Sequence, residues 1–159
     1  MPSGFLILSD GRCLAVRWRY YDLTLRTVAE SLGESQAAHA LREWILTLVP
    51  GVRDIEEVGY GAWLRSDDQQ VIPKRLDVRS LTAENQRLFH DAALQVGRRA
   101  RSEEAKNWDS ILVECLLHLS DMVERADRGE PPLSLSDWDA VKPPEKTKIG
   151  PGWDQRPDS

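Results

Sequence analysis

The sequence predicts a single α+β domain in which two β-hairpins form a four-stranded, mostly antiparallel sheet packed against about four helices, followed by a proline-rich C-terminal arm. Three observations carry this reading. Asp10-Gly11 stands between two apolar runs, a strong local hairpin signal. A second run rich in glycine and aromatics, residues 58–65, is followed by turn residues and a return, residues 69–78, that contains Pro73. Several longer stretches repeat apolar positions at steps of three and four, the stripe of an amphipathic helix. The element order is then ββααββαα, with helices covering the apolar faces that a lone hairpin would leave in water. The two halves share no residue-level match.

The first hairpin joins residues 5–8 to residues 13–18 through Ser9-Asp10-Gly11-Arg12, and the alternation of Leu14, Val16 and Trp18 gives the second strand a core-facing side. Asp22 is placed to cap the first helix, whose apolar positions are Leu25, Val28, Ala29 and Leu32, with Gly33 as its left-handed stop. Ser35 opens the second helix, which turns Ala38, Leu41, Trp44, Ile45, Leu48 and Val49 inward and closes at Pro50-Gly51. Thr82 caps a third, with Leu88, Phe89, Ala92, Ala93 and Val96 on one side, fraying through Arg98-Arg99-Ala100-Arg101. The fourth, residues 106–128, is the organising helix of this reading. Ile111, Leu112, Cys115, Leu116, Leu119, Met122 and Val123 form its stripe, Val113 and Leu117 widen it, and Gly129 stops it ahead of Pro131-Pro132. Residues 1–129 thus make the domain and 130–159 the arm. Trp138 and Trp153 lie in that arm, and large aromatics point to a segment that docks rather than one that stays loose.

With 159 residues the chain can bury roughly 70 % of its unfolded surface, enough for one core without staples. Cys13 and Cys115 supply no disulfide framework or zinc spacing, and the opening residues lack a basic region ahead of a long apolar core, so a reducing, cytoplasmic setting is expected. No stretch is long and apolar enough for a membrane span. The balance of 21 Lys plus Arg against 26 Asp plus Glu leaves a formal charge of −5, which disfavours nucleic acid and suits a basic protein partner. Arg98, Arg99 and Arg101 are followed at once by Glu103 and Glu104, a self-compensating junction rather than a phosphate track.

The chemistry-bearing candidates are few. Glu114, His118 and Asp121 share a helix face at i, i+4 and i+7 with Arg125 following, a set that could hold a metal or serve acid/base work, or simply meet solvent as paired charges. Cys115 lies on the apolar stripe, away from His118, and reads as an inert thiol; His39 and His90 read as surface or boundary residues. No nucleophile elbow, Walker loop or dinucleotide fingerprint occurs, and Gly59-Tyr60-Gly61 falls in a strand pattern.

Aromatic anchors dominate binding energies and acidic rims steer basic partners. Tyr60 and Trp63, flanked by Glu56, Glu57, Asp67 and Asp68, are therefore the expected partner-binding surface. The functional expectation is a non-enzymatic protein-binding module without cofactor, of the kind suited to an immunity protein that neutralises a basic toxin or enzyme by covering it. The alternatives are a metal-dependent enzyme built on Glu114, His118 and Asp121, or an assembly subunit whose arm joins two copies as a homodimer.

Overall fold

The computed structural model describes residues 3–49 and 75–141. It is a mixed α+β structure with a small sheet and helices gathered on it. Strand β1 (Ser3–Ile7) pairs antiparallel with β2 (Cys13–Arg17), in a register that sets Leu6 opposite Leu14. The turn between them closes as expected: the Gly11 N–H donates to the Leu8 carbonyl at 2.9 Å, and Gly11 takes φ +93°, where a side chain would be strained.

The third strand departs from the expected arrangement. β3 (Arg75–Asp77) lies parallel to β1, with Leu6 opposite Leu76, so among the described residues the sheet has three strands in the order β2-β1-β3. Such a short strand turns one side chain, Leu76, inward and two outward, too little alternation for the sequence to fix its direction. Burial decides it. Leu6, Leu14 and Leu76 form a continuous inner row, each no more than 4 % exposed. The Asp77 side chain then accepts from the Arg79 N–H at 3.0 Å and turns the chain into a short 3-10 segment, Val78–Ser80. The remainder of the expected second hairpin, residues 58–65 and 69–74, lies outside the described residues.

Helix α1 (Trp18–Glu30) follows β2 without a loop, so Arg17 occupies its N-cap and Asp22 sits inside it, not at its start. The expected cap fails because that reading left room for a connecting turn which the chain does not use. Burial of Tyr20 and Tyr21 rewards the earlier start. The same helix ends at a Ser31 cap in ordinary right-handed geometry, and Gly33 is not the left-handed stop. Arg42 supplies what that glycine does not: from α2 (Gln36–Thr47) its guanidinium donates to the carbonyls of Ala29, Leu32 and Gly33 at 3.0, 2.7 and 2.9 Å.

Two other caps form as the sequence implies. Ser35 Oγ accepts from the Ala38 N–H and Thr82 Oγ1 from the Asn85 N–H, opening α2 and α3 (Ala83–Ala100). Helix α3 runs through its arginines without fraying, because Arg99 is tied down by the Glu104 carboxylate at 2.7 Å and Ser31 Oγ at 2.6 Å. A 3-10 segment, Glu103–Asn107, leads into α4 (Ser110–Asp127). Gly129, at φ +69°, ends α4 with the Glu130 N–H on the Arg125 carbonyl and its own N–H on Ala126, a Schellman closure. Trp44 and Ile111, expected inward, are 41 % and 40 % exposed; Ile45 and Val113 take the inward positions beside them.

The hub is α1 rather than α4. It touches β1, β2, α2, α3 and α4, whereas α4 packs chiefly along α3. Phe89, Leu25, Leu116 and Leu119 are wholly buried where these helices meet. Among the described residues, no helix is long and apolar enough to cross a membrane.

Candidate functional site

The polar face of α4 carries Glu114, His118, Asp121 and Arg125, and its two ends are tied by different means. At the N-terminal end Asp109 is the cap: Oδ1 accepts from the Ile111 and Leu112 N–H groups at 2.8 and 3.4 Å, and Oδ2 accepts from the Tyr20 hydroxyl of α1 at 3.2 Å. Asp109→Ala is expected to cost about 1 kcal/mol, the usual loss for a removed cap, while Asp109→Asn keeps most of the cap; urea midpoints of the two variants would show the difference.

At the C-terminal end Arg125 bridges Asp121 at 3.0 Å and Glu130 at 3.3 Å, and Glu130 also binds Arg128 at 3.0 Å. Arg12, from the hairpin turn, reaches the same end. Its guanidinium donates to the carbonyls of Met122 and Glu130 at 3.2 and 2.8 Å and is matched by Asp10 at 2.7 Å. This tie between the first turn and the end of α4 has no local signature, since it joins residues more than a hundred positions apart.

His118 lies between those ends and does not simply meet solvent. Its ring is half-buried and stacks on the Trp138 indole, with centroids 4.3 Å apart and planes within 10°. Trp138 belongs to a short C-terminal helix, α5 (Leu135–Val141), and is only 6 % exposed. Burial pushes the His118 pKa below the ordinary imidazole value, against the pull of the Asp121 and Glu114 carboxylates.

Among the described residues no three His, Cys, Asp or Glu side chains gather closely enough to hold a metal ion. Glu114, His118 and Asp121 share a face, but Asp121 is engaged by Arg125 and His118 by an indole. The sequence spacing was real; the occupant of the imidazole's open side came from a segment twenty residues on.

The Cys115 thiol is pushed up to about 12 by burial, with Glu114 and Asp109 adding to the shift, so it is protonated and inert at neutral pH. Cys13 is exposed and its pKa is also raised by partial burial, with Arg75 opposing. His39 is exposed, with Nε2 3.9 Å from Glu43, and His90 shares a 3.2 Å hydrogen bond with Ser9 Oγ. Of the basic junction, Arg99 pairs with Glu104 and sets its guanidinium 5.2 Å from the centre of the Trp108 ring, so its charge is spent within the fold. The expected partner surface, Glu56, Glu57, Tyr60, Trp63, Asp67 and Asp68, lies outside the described residues. No family model, no curated protein and no solved structure matches the chain.

Proposed function

We propose that the protein is a non-enzymatic protein-binding module, an inhibitor of the immunity-protein kind that neutralises a basic toxin or enzyme by covering it. One observation carries the reading: residues 54–68 gather Asp54, Glu56, Glu57, Asp67 and Asp68 around Tyr60 and Trp63 in a single stretch. That stretch is tethered at both ends to packed structure, since Val49 after α2 is 7 % exposed and Leu76 in β3 is 2 % exposed. Segments held this way on a firm scaffold commonly carry recognition. Acidic side chains would accelerate encounter with a basic partner, and the aromatics would supply the buried contact. In this reading residues 58–65 and 69–78 form the second hairpin, residues 1–129 form the body and 130–159 the arm, and the protein works in the cytoplasm.

Affinity capture with the intact protein, followed by titration of the captured partner, tests it. Trp63→Ala is expected to weaken binding by about 2 kcal/mol, roughly thirtyfold. Asp67→Lys should slow association most at low ionic strength, where charge steering is strongest. A partner set and affinity unchanged by both substitutions would remove this surface and the function built on it.

A further inference from the structure

We propose that α5 is an acid-released latch: the His118–Trp138 ring stack holds residues 135–141 against α4 while the imidazole is neutral, and protonation of His118 lets the segment go. A helix of this length, about two turns, is not stable by itself in water, so its docking depends on what it packs against. Among its described side chains Trp138 is the one that is buried, while Ser136, Asp137 and Ala140 are exposed. Its N-terminal turn is closed locally by Ser134, whose Oγ accepts from the Asp137 N–H and whose carbonyl accepts from the Trp138 N–H. Those bonds shape α5 without attaching it to α4. Among the described side chains of α5, attachment falls to Trp138, which is buried in the core and stacks on the His118 imidazole.

The charges around His118 set the direction of the response. Glu114 and Asp121 lie one turn either side of it on α4 and favour its cation. Asp121 is already shared with Arg125, which also binds Glu130. Arg12, reaching α4 from the hairpin turn, is matched by Asp10, and α5 contributes Asp137, which is exposed. Burial, to which the stacked indole contributes by covering one face of the ring, outweighs the two carboxylates and lowers the His118 pKa below 6.5. The docked form therefore prefers the neutral ring. Docking is at full strength above the ordinary imidazole value and weakens as pH falls below it towards the lowered one.

Hydrogen exchange on the full chain, expressed as protection relative to intrinsic rates, tests the latch between about pH 8 and about pH 5, a range that spans imidazole titration. In the wild type, amides 135–141 should lose protection severalfold at the acid end while amides in the middle of α4 keep theirs, and the loss should follow the His118 ring titration observed by NMR. His118→Phe, which keeps an aromatic stack without a titrating group, should hold protection constant over the range, and His118→Gln should show no acid step. Trp138→Ala should leave the segment unprotected at both ends. The proposal is overturned if wild-type protection is unchanged or rises in acid, if α4 opens in parallel with α5, if the loss does not follow the His118 titration, or if either His118 variant retains the acid step.

Discussion

Replacing Gly97 by alanine is expected to destabilise the protein by up to about 2 kcal/mol, even though alanine is the better helix former by about 1 kcal/mol. Gly97 lies on the buried side of α3, facing Ser120 of α4, and both residues are fully or nearly fully excluded from solvent. A Cβ at position 97 would stand 2.5 Å from Ser120 Cβ and closer still to its Oγ. Ser120 Oγ could turn away about χ1, but Ser120 Cβ is fixed to the backbone, so the two helices would have to separate. Overpacking of this type costs on the order of 1–3 kcal/mol and should exceed the helical gain. For a chain of this size a loss at that upper limit corresponds to a fall in Tm of about 4–8 °C. The partner residue supplies the control. Ser120 Oγ is buried without a hydrogen-bond partner among the described residues, so Ser120→Ala alone should be neutral or stabilising by up to about 1 kcal/mol. Ser120→Gly should restore much of what Gly97→Ala loses, and a double-mutant cycle with no coupling between the positions would contradict the close approach.

Arg12→Ala is expected to cost about 2–3 kcal/mol, because it removes charge-assisted hydrogen bonds that join the first turn to the end of α4. The side chain is only 8 % exposed, whereas its carboxylate partner Asp10 is 42 % exposed and would simply rehydrate. The cost therefore arises from the two carbonyl bonds and the packing of the arginine stem rather than from a stranded charge. Arg12→Lys should recover less than half of the loss, since an ammonium cannot span Asp10, Met122 and Glu130 with the planar fork that guanidinium offers. Chemical denaturation of both variants checks this, and a lysine variant as stable as the parent would show that only charge matters. Partial burial works to raise the Asp10 pKa, but the Arg12 contacts outweigh it and hold the carboxyl below its ordinary 3.8. That contribution is present above 3.8 and is lost as pH falls through the lowered value, so the penalty for Arg12→Ala should shrink in strong acid.

What could be read from the sequence was local. Asp10-Gly11 between apolar runs, Ser35 and Thr82 ahead of helical stripes, and Gly129 after one each announce a turn, a cap or a stop through their own backbone chemistry, and the structure uses all four. Asp22 misled because the same residue type can cap a helix or ride inside one, and only the absence of a loop after β2 decides between them. Trp44 and Ile111 misled because a helical stripe fixes which side is apolar but not how wide a strip the neighbours cover. The parallel placement of β3 and the reach of Arg12 are tertiary facts with no local trace. On the candidate site, spacing placed His118 correctly between two carboxylates, and composition marked Trp138 as an aromatic that needs shelter. Their stacking could not be read, since nothing in either residue's neighbourhood names the other.

The central position of β1 has a consequence for the order in which the protein can assemble. Both neighbours of this strand hydrogen-bond to it, one ten residues away and the other only after the chain has passed α1 and α2 and reached Asp77. On a ribosome the first hairpin and α1 can form early, but one side of β1 stays unzipped until residues 75–77 have emerged. Distant pairings of that kind raise contact order and slow folding, so the half-built sheet is the stage at which a nascent chain would be most exposed to aggregation.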